Sequence, residues 1–273
     1  MTSTSSVSRT ISSLKKAIHS TINDFGFDVV RVSHPISPES VGRFDYYKTG
    51  FGNYYVPSGA RHDLIVRAIR RGRMFEPEVV EVARRFARPG TAVLDVGSNF
   101  GQMAVQFAQM VGEEGRVYAI EAQKPVFEIL KKNVLANGAG NIVPVFAAAL
   151  AETGLQLRFP RPDFSRHHSF GSYNLPLHAQ EGDLVESLKI DDLAIDRPIS
   201  FMKIDVQGCD LFAMQGAAKV IARHRMPILF EFEQEFQDEY KTSFQDYVSF
   251  VASIGYEFTE IVLLKNYLIQ PRV

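Results

Sequence analysis

From about residue 76 onward, short and nearly all-apolar runs alternate with stretches of helical period. This is the pattern of repeated βα units, in which strands buried on both faces form a parallel sheet covered by helices. TAVLDVG (91–97) predicts the first strand, FGQMAVQFAQMVG a helix, and RVYAIEA (116–122) the second strand. KPVFEILKKNVLANG predicts a helix with Phe127, Leu130, Val134 and Leu135 on one side, and NIVPVFAAAL a third strand. ISFMKIDVQG and PILFEFE predict two further strands, with one helix at about 209–223 between them. A helix near 243–254 precedes two close runs, EFTEIVLL and NYLIQP, which predict a closing antiparallel hairpin. The fold class is therefore α/β, with a Rossmann-like, mostly parallel sheet and helices on both faces.

Two regions depart from this rhythm. Residues 26–60 are rich in Gly, Pro and aromatics, with the cluster FDYYKTGFGNYYVPSG, and show no clear period. The chain is read as a helical or irregular extension over 1–60 followed by one domain over 61–273. Within the extension, Ile11, Leu14, Ile18, Ile22 and Phe25 recur at helical spacing, which predicts an amphipathic helix. The second region, FPRPDFSRHHSFGSYNLPLHAQEG (159–182), reads as an insertion covering the substrate, because long irregular segments in compact domains commonly carry function.

Thirty basic and thirty-one acidic residues give a net charge of -1, so no global field favours nucleic acid or an anionic membrane. No apolar run approaches the ~20 residues needed to span a bilayer. A single cysteine, Cys209, excludes an intramolecular disulfide framework and fits a reducing, cytoplasmic compartment. The hydroxyl-rich, basic start, with no acid before Asp24, also has the composition of an organelle transit peptide.

Candidate chemistry begins with LDVGSNFG (94–101), placed where a strand ends and a helix starts. Gly97 and Gly101 permit a tight turn and close approach of a ligand. A dinucleotide fingerprint starting at Gly97 would need glycines at 99 and 102, where the chain has Asn99 and Gln102, which argues against NAD. Glu121 ends the next strand, 26 residues after Asp95, where nucleoside-binding folds place an acid on the ribose hydroxyls. In FMKIDVQG (201–208), alternation puts Lys203, Asp205 and Gln207 on one face, reaching the ligand crevice, forming an ion pair of Lys203 with a carboxylate such as Asp205 or Glu231, or both together. Glu231 and Glu233 share a face of the next strand in the same way.

These segments, taken in order with AIEAQKPVFEILKKN, VPVFAAALAETG and LKIDDL, resemble the FkbM family of methyltransferases over about residues 60–235. The resemblance implies a class I methyltransferase fold, a seven-stranded sheet with a reversed last strand, and S-adenosylmethionine (AdoMet) as methyl donor. It also implies transfer to a hydroxyl of a small molecule, sugar, lipid or secondary metabolite. By position, Asp95, Gly97, Ser98, Asn99 and Gly101 would surround the methionine part, Glu121 the ribose, and Ala147 and Ala148 the adenine. Asp205 falls on the acid of the family's K-I-D-V-E-G, whose following acid is replaced here by Gln207.

Asp205, His167 and His168 are the candidates for assisting loss of the acceptor proton, the histidines because their pKa lies near operating pH. Asp191, Asp205 and Glu231 offer a less favoured divalent-metal set. Cys209, after Gly208, is expected to be a buried packing residue. The competing readings are a non-catalytic AdoMet-binding accessory protein and a protein methyltransferase. The expected partner is a small or glycosidic acceptor, with a homo-oligomer compatible and no nucleic acid.

Overall fold

The computed structural model describes residues 39–41, 43–161, 174–176, 178–263 and 265–272, so the stripe from Ile11 to Phe25 lies outside the described residues. All of these residues fall in one compact unit, Ile36–Val273. The aromatic cluster near its start is ordered: β1 (Glu39–Val41), β2 (Phe44–Thr49) and β3 (Gly52–Pro57) form an antiparallel sheet. β2 and β3 are joined at Thr49↔Gly52 by the two-residue turn Gly50–Phe51, a hairpin signal that a search for longer periods passes over. Tyr47, Tyr54 and Val56 are buried, so this segment belongs to the domain core rather than to an extension ending at residue 60.

Two short helices follow, α1 (Leu64–Arg70), capped by the Asp63 side chain, and α2 (Pro77–Phe86). The alternating units are then β4 (Ala92–Val96), α3 (Gln102–Val111), β5 (Arg116–Glu121), α4 (Lys124–Ala136) and β6 (Ile142–Phe146). A side sheet of β7 (Ala148–Ala149), β8 (Gln156–Phe159) and β9 (Asp183–Leu188) interrupts the rhythm. The run 141–150 thus serves two sheets, and the 159–182 segment connects the antiparallel strands β8 and β9. β10 (Ile199–Ile204), α5 (Asp210–Gln215), α6 (Ala218–His224), β11 (Ile228–Glu231), α7 (Gln234–Tyr240), α8 (Phe244–Ser253), β12 (Tyr256–Val262) and β13 (Asn266–Pro271) complete the chain. The single helix expected over 209–223 is divided at Gly216, where a Cβ would lie 2.0 Å from the Leu150 carbonyl oxygen. Glycine lets this junction pack directly against the Leu150 backbone.

The central sheet has the order β12-β13-β11-β10-β4-β5-β6. β4, β5, β6, β10 and β11 are parallel, and β13 runs antiparallel between β11 and β12. This is the seven-stranded arrangement with a reversed last strand. Alternate strand residues face opposite layers: Val93, Val117, Phe201 and Leu229 pack toward α2, α3 and α4, while Leu94, Ile120, Met202 and Phe230 pack toward α5, α6 and α8. No helix among the described residues is long and apolar enough to cross a membrane.

Helix α4 shows how buried polar groups join the small sheet to this core. Asn133 accepts from the Tyr55 N–H at 2.6 Å and donates to the carbonyls of Tyr55 at 3.1 Å and Phe100 at 2.8 Å. One turn on, Asn137 accepts from the Asn53 N–H and donates to the Asn53 carbonyl. Spaced four apart on one helix face, the two amides act as a strand partner for β3. That face displaces Leu135 from the expected apolar side, leaving it 81% exposed. Asn133→Ala should lower unfolding free energy by roughly 2–4 kcal/mol, since each buried group left unpaired costs about 1–3 kcal/mol. Leu135→Ala should change it by less than about 0.5 kcal/mol. Urea titration of both variants checks the contrast.

Candidate active site

In an open parallel sheet, the crevice lies at the carboxyl ends of the strands where the chain changes direction. Here the chain progresses from β4 outward to β6 and returns to β10 on the other side of β4. A cleft opens at that place, lined by residues following β4, β5, β6, β10 and β11.

The β4 and β10 loops meet at Gly97. Its φ of 80° is a left-handed conformation, and a Cβ there would lie 1.8 Å from the Asp205 carbonyl oxygen. Only glycine fits. Beneath this contact the Lys203 ammonium donates to the Gly97 carbonyl at 2.9 Å and lies 3.3 Å from Asp205 Oδ2 and 3.7 Å from Asp95 Oδ1. Burial opposes the charge of Lys203, but Asp205, Asp95 and Glu76 outweigh it and hold the ammonium pKa above its ordinary value.

The turn after β4 then reaches the end of β5. Ser98 donates through its hydroxyl to the Asp95 carbonyl, and the N–H groups of Gly97 and Ser98 both point to the Ile120 carbonyl. Glu121 accepts from the Asn99 N–H at 2.9 Å through Oε2 and from the Gln123 N–H at 2.7 Å through Oε1. Burial raises its pKa to about 7 against these hydrogen bonds. Each oxygen retains a free lone-pair direction, so the carboxylate is placed to accept from a vicinal diol. Ala147 and Ala148 line the next part of the cleft, after β6.

Beyond β10 the expected alternation stops, because Gln207 takes φ 52° and Gly208 φ 92°. The polar residues still converge. Gln207 Nε2 donates to Asp205 Oδ1 at 2.8 Å and to Glu231 Oε2 at 2.9 Å. Lys265 closes the group, 2.8 Å from Glu231 Oε1 and in contact with Glu233. Burial, and then the neighbouring Asp205, raise the pKa of Glu231. Burial also opposes ionisation of Asp205, but Lys203 and hydrogen bonds from Glu231 and Gln207 prevail and lower its pKa. The shared environment therefore favours negative charge on Asp205 over Glu231.

Gly97, Ser98, Asn99, Glu121, Ala147, Ala148 and Asp205 all line the cleft. Asp95 and Gly101 do not. Asp95 is fully buried against Lys203, and Gly101 is the N-cap of α3, where a Cβ would lie 2.5 Å from Leu130 Cδ1. His167 and His168 lie outside the described residues. From the 159–182 segment, Phe159 and Leu175 line the cleft and pack with Ala148, Leu150 and Cys209, so this part of it adjoins the residues expected near the adenine. Cys209 is buried and its thiol is pushed up to about 12 by burial, which suits packing rather than reactivity. Asp191 accepts from the N–H groups of Lys219 and Val220 at the start of α6 and does not join Asp205 and Glu231. Among the described residues no cluster of three or more His, Cys, Asp or Glu is arranged to hold a metal ion.

The sequence reading missed Glu76, Gln123 and Lys265, which also line the cleft. Glu76 is held at φ 47° directly before Pro77, and burial raises its pKa to about 6. A non-glycine residue in this region is characteristic of sites that store backbone strain. Lys265 sits in the turn of the closing hairpin, a place with no local signature of chemistry.

The groups present fit AdoMet. The tight turn of Gly97, Ser98 and Asn99 lines the cleft at one end, with an acceptor suited to a diol at Glu121 and a small-residue floor at Ala147 and Ala148. The methyltransferase FkbM domain matches residues 95–258. A "probable cobalt-precorrin-6B C(15)-methyltransferase (decarboxylating)" of Sulfurisphaera tokodaii is 31% identical over 83 residues, 30% of this chain and 36% of that protein. The chain thus spans about a third of that curated relative's length. The crystal structure of methyltransferase FkbM from Methylobacillus flagellatus is 18% identical, with 70% of this chain and 49% of that one covered at a TM-score of 0.44. A SAM-dependent methyltransferase from Aquifex aeolicus is 17% identical, covering 71% of this chain and 88% of its own, at a TM-score of 0.39. With the domain match extending over more than half of its length, from the Gly97 turn through the acidic strand ends to the closing hairpin, this chain belongs to the FkbM family of methyltransferases.

Proposed function

We propose that this methyltransferase uses AdoMet to methylate a hydroxyl of a small or glycosidic acceptor, with Asp205 as the residue that takes the hydroxyl proton. The observation that carries the reading is the contact of Gly97 with the Asp205 backbone, which sets an ionised carboxylate beside the glycine turn. Bound in the cleft, AdoMet would supply an electrophilic methyl group on a positively charged sulfur. Gly97, Ser98 and Asn99 would hold its methionine part, Glu121 its ribose diol, and Ala147 and Ala148 its adenine.

Asp205 is prepared for its role by its neighbours. Lys203 and Gln207 favour its ionised form, while burial beside Asp205 disfavours a second charge on Glu231. An ionised carboxylate orients an acceptor hydroxyl and receives its proton as charge develops, without needing a strong base. Gln207 supports this arrangement as a neutral donor to both acids. The curated relative named above carries a C-methyltransferase description, but its match reaches only part of either chain. Among the described residues, no feature of this cleft favours carbon over oxygen.

Calorimetry should find AdoMet and its demethylated product bound at micromolar affinity and NAD bound far more weakly. Glu121→Ala should weaken AdoMet by roughly 10- to 100-fold, the worth of hydrogen bonds to a charged acceptor. Unchanged affinity with a lowered melting temperature would make Glu121 structural.

Asp205→Asn should lower kcat by about 10²–10⁴-fold, the usual range for a positioned proton-transfer group, with a much smaller change in AdoMet affinity. Turnover is measured on hydroxyl acceptors, with amine and activated-carbon acceptors alongside. A folded, AdoMet-binding variant with wild-type turnover would exclude Asp205 from catalysis, and methylation confined to carbon would exclude the hydroxyl reading.

A further inference from the structure

Gln123 stands two residues after Glu121, at the N-cap of α4. Its backbone is fixed from both sides: the N–H donates to Glu121 Oε1 at 2.7 Å, and the carbonyl accepts from the Phe127 N–H at 2.8 Å. The residue is 2% exposed and lines the cleft. Among the described residues, neither Oε1 nor Nε2 of its side chain has a hydrogen-bond partner. Native proteins bury few unpaired amides, because both the donor and the acceptor lose water without replacement. An amide in this state beside a binding cleft points to a ligand.

The position of Gln123 indicates which part of the ligand it meets. The cleft crosses the sheet edge in the order β10, β4, β5, β6. The glycine turn and Asp205 occupy its β4–β10 end and Glu121 its middle, so an extended nucleoside has its ribose over β5 and its base toward β6. After β6 the wall consists of Ala147, Ala148 and Ala149, whose side chains offer no polar atom. Among the described residues at this end, recognition of a base edge by a side chain falls to Gln123. A primary amide presents one acceptor and one donor side by side, the complement of the 6-amino group of adenine and an adjacent ring nitrogen.

Resting on the reading that the cleft takes AdoMet, we infer that Gln123 is a specificity-determining residue that pairs with the amino edge of the adenine base. Glu121 then selects a ribose and Gln123 selects the base. A 6-substituent that cannot donate leaves the Gln123 carbonyl oxygen buried and unpaired in the complex.

The test is calorimetry with S-adenosylhomocysteine and with its analogue whose purine lacks the 6-amino group, on wild-type protein, Gln123→Leu and Gln123→Met. Wild type should bind the amino compound roughly 5- to 150-fold more tightly, the discrimination of one bidentate amide–adenine pair. Both variants should bind the two compounds within about twofold of each other, the amino compound having lost most of its advantage. This ratio does not respond to a packing role, which would lower the melting temperature and leave discrimination intact. A wild-type ratio near one overturns the assignment whatever the variants do, and so does a ratio retained by either folded variant. If wild type binds neither compound, the cofactor reading fails first and the Gln123 assignment with it.

Discussion

The cleft depends on one buried cation. Lys203 lies under the contact between the β4 and β10 loops, bonded to the Gly97 carbonyl and facing Asp95 and Asp205. Leaving the partners of such a buried charge uncompensated costs about 3–5 kcal/mol. The ammonium therefore joins the two central strands mechanically, through the glycine turn, and electrically, through the carboxylates on either side. Asp95 belongs to this support rather than to the cleft wall. Its burial raises its pKa, and Lys203 is the first influence acting against that rise.

Around this cation the acids divide their work. Asp205 is held ionised, while Glu231, Glu121 and Glu76 are all shifted upward by burial. Burial alone opposes ionisation of Glu121, and the nearby Asp205 adds to it for Glu231 and Glu76, so carboxyl groups of the same chemistry divide into one favoured as the charged form and several reluctant ones. Glu121 has two backbone donors and Asp205 has Lys203, and these local partners decide which groups carry charge near neutral pH.

Gln207 clarifies the departure from the family's K-I-D-V-E-G. Its amide nitrogen donates to both Asp205 and Glu231, so a glutamate at this position would replace a shared donor with a third carboxyl group. The neutral residue makes the Asp205–Glu231 pairing compatible with burial. It does not weaken the case for Asp205 as the working acid, because the second carboxyl group at this place comes from β11 instead.

Much of this molecule was legible in local pattern. Apolar runs, helical period and the glycine turn depend on residues near one another in the chain, and they placed β4, β5, β10, β11 and the closing hairpin, with Gly97, Glu121 and Asp205 at strand ends. The β2–β3 hairpin escaped because its two-residue turn is too short to register as a period, and Leu135 was misplaced because two asparagines take the buried face of α4. The contacts that make the site a site join distant segments: Gln207 to Glu231 across 24 residues, Lys203 to Gly97 across 106. By itself the sequence determined the order of elements and which side chains reach the ends of strands. Only the tertiary structure decided which of those groups are paired, which are charged, and that Gln123 is buried with its amide unpaired, because hydrogen bonding and desolvation follow from the distances the folded sheet imposes.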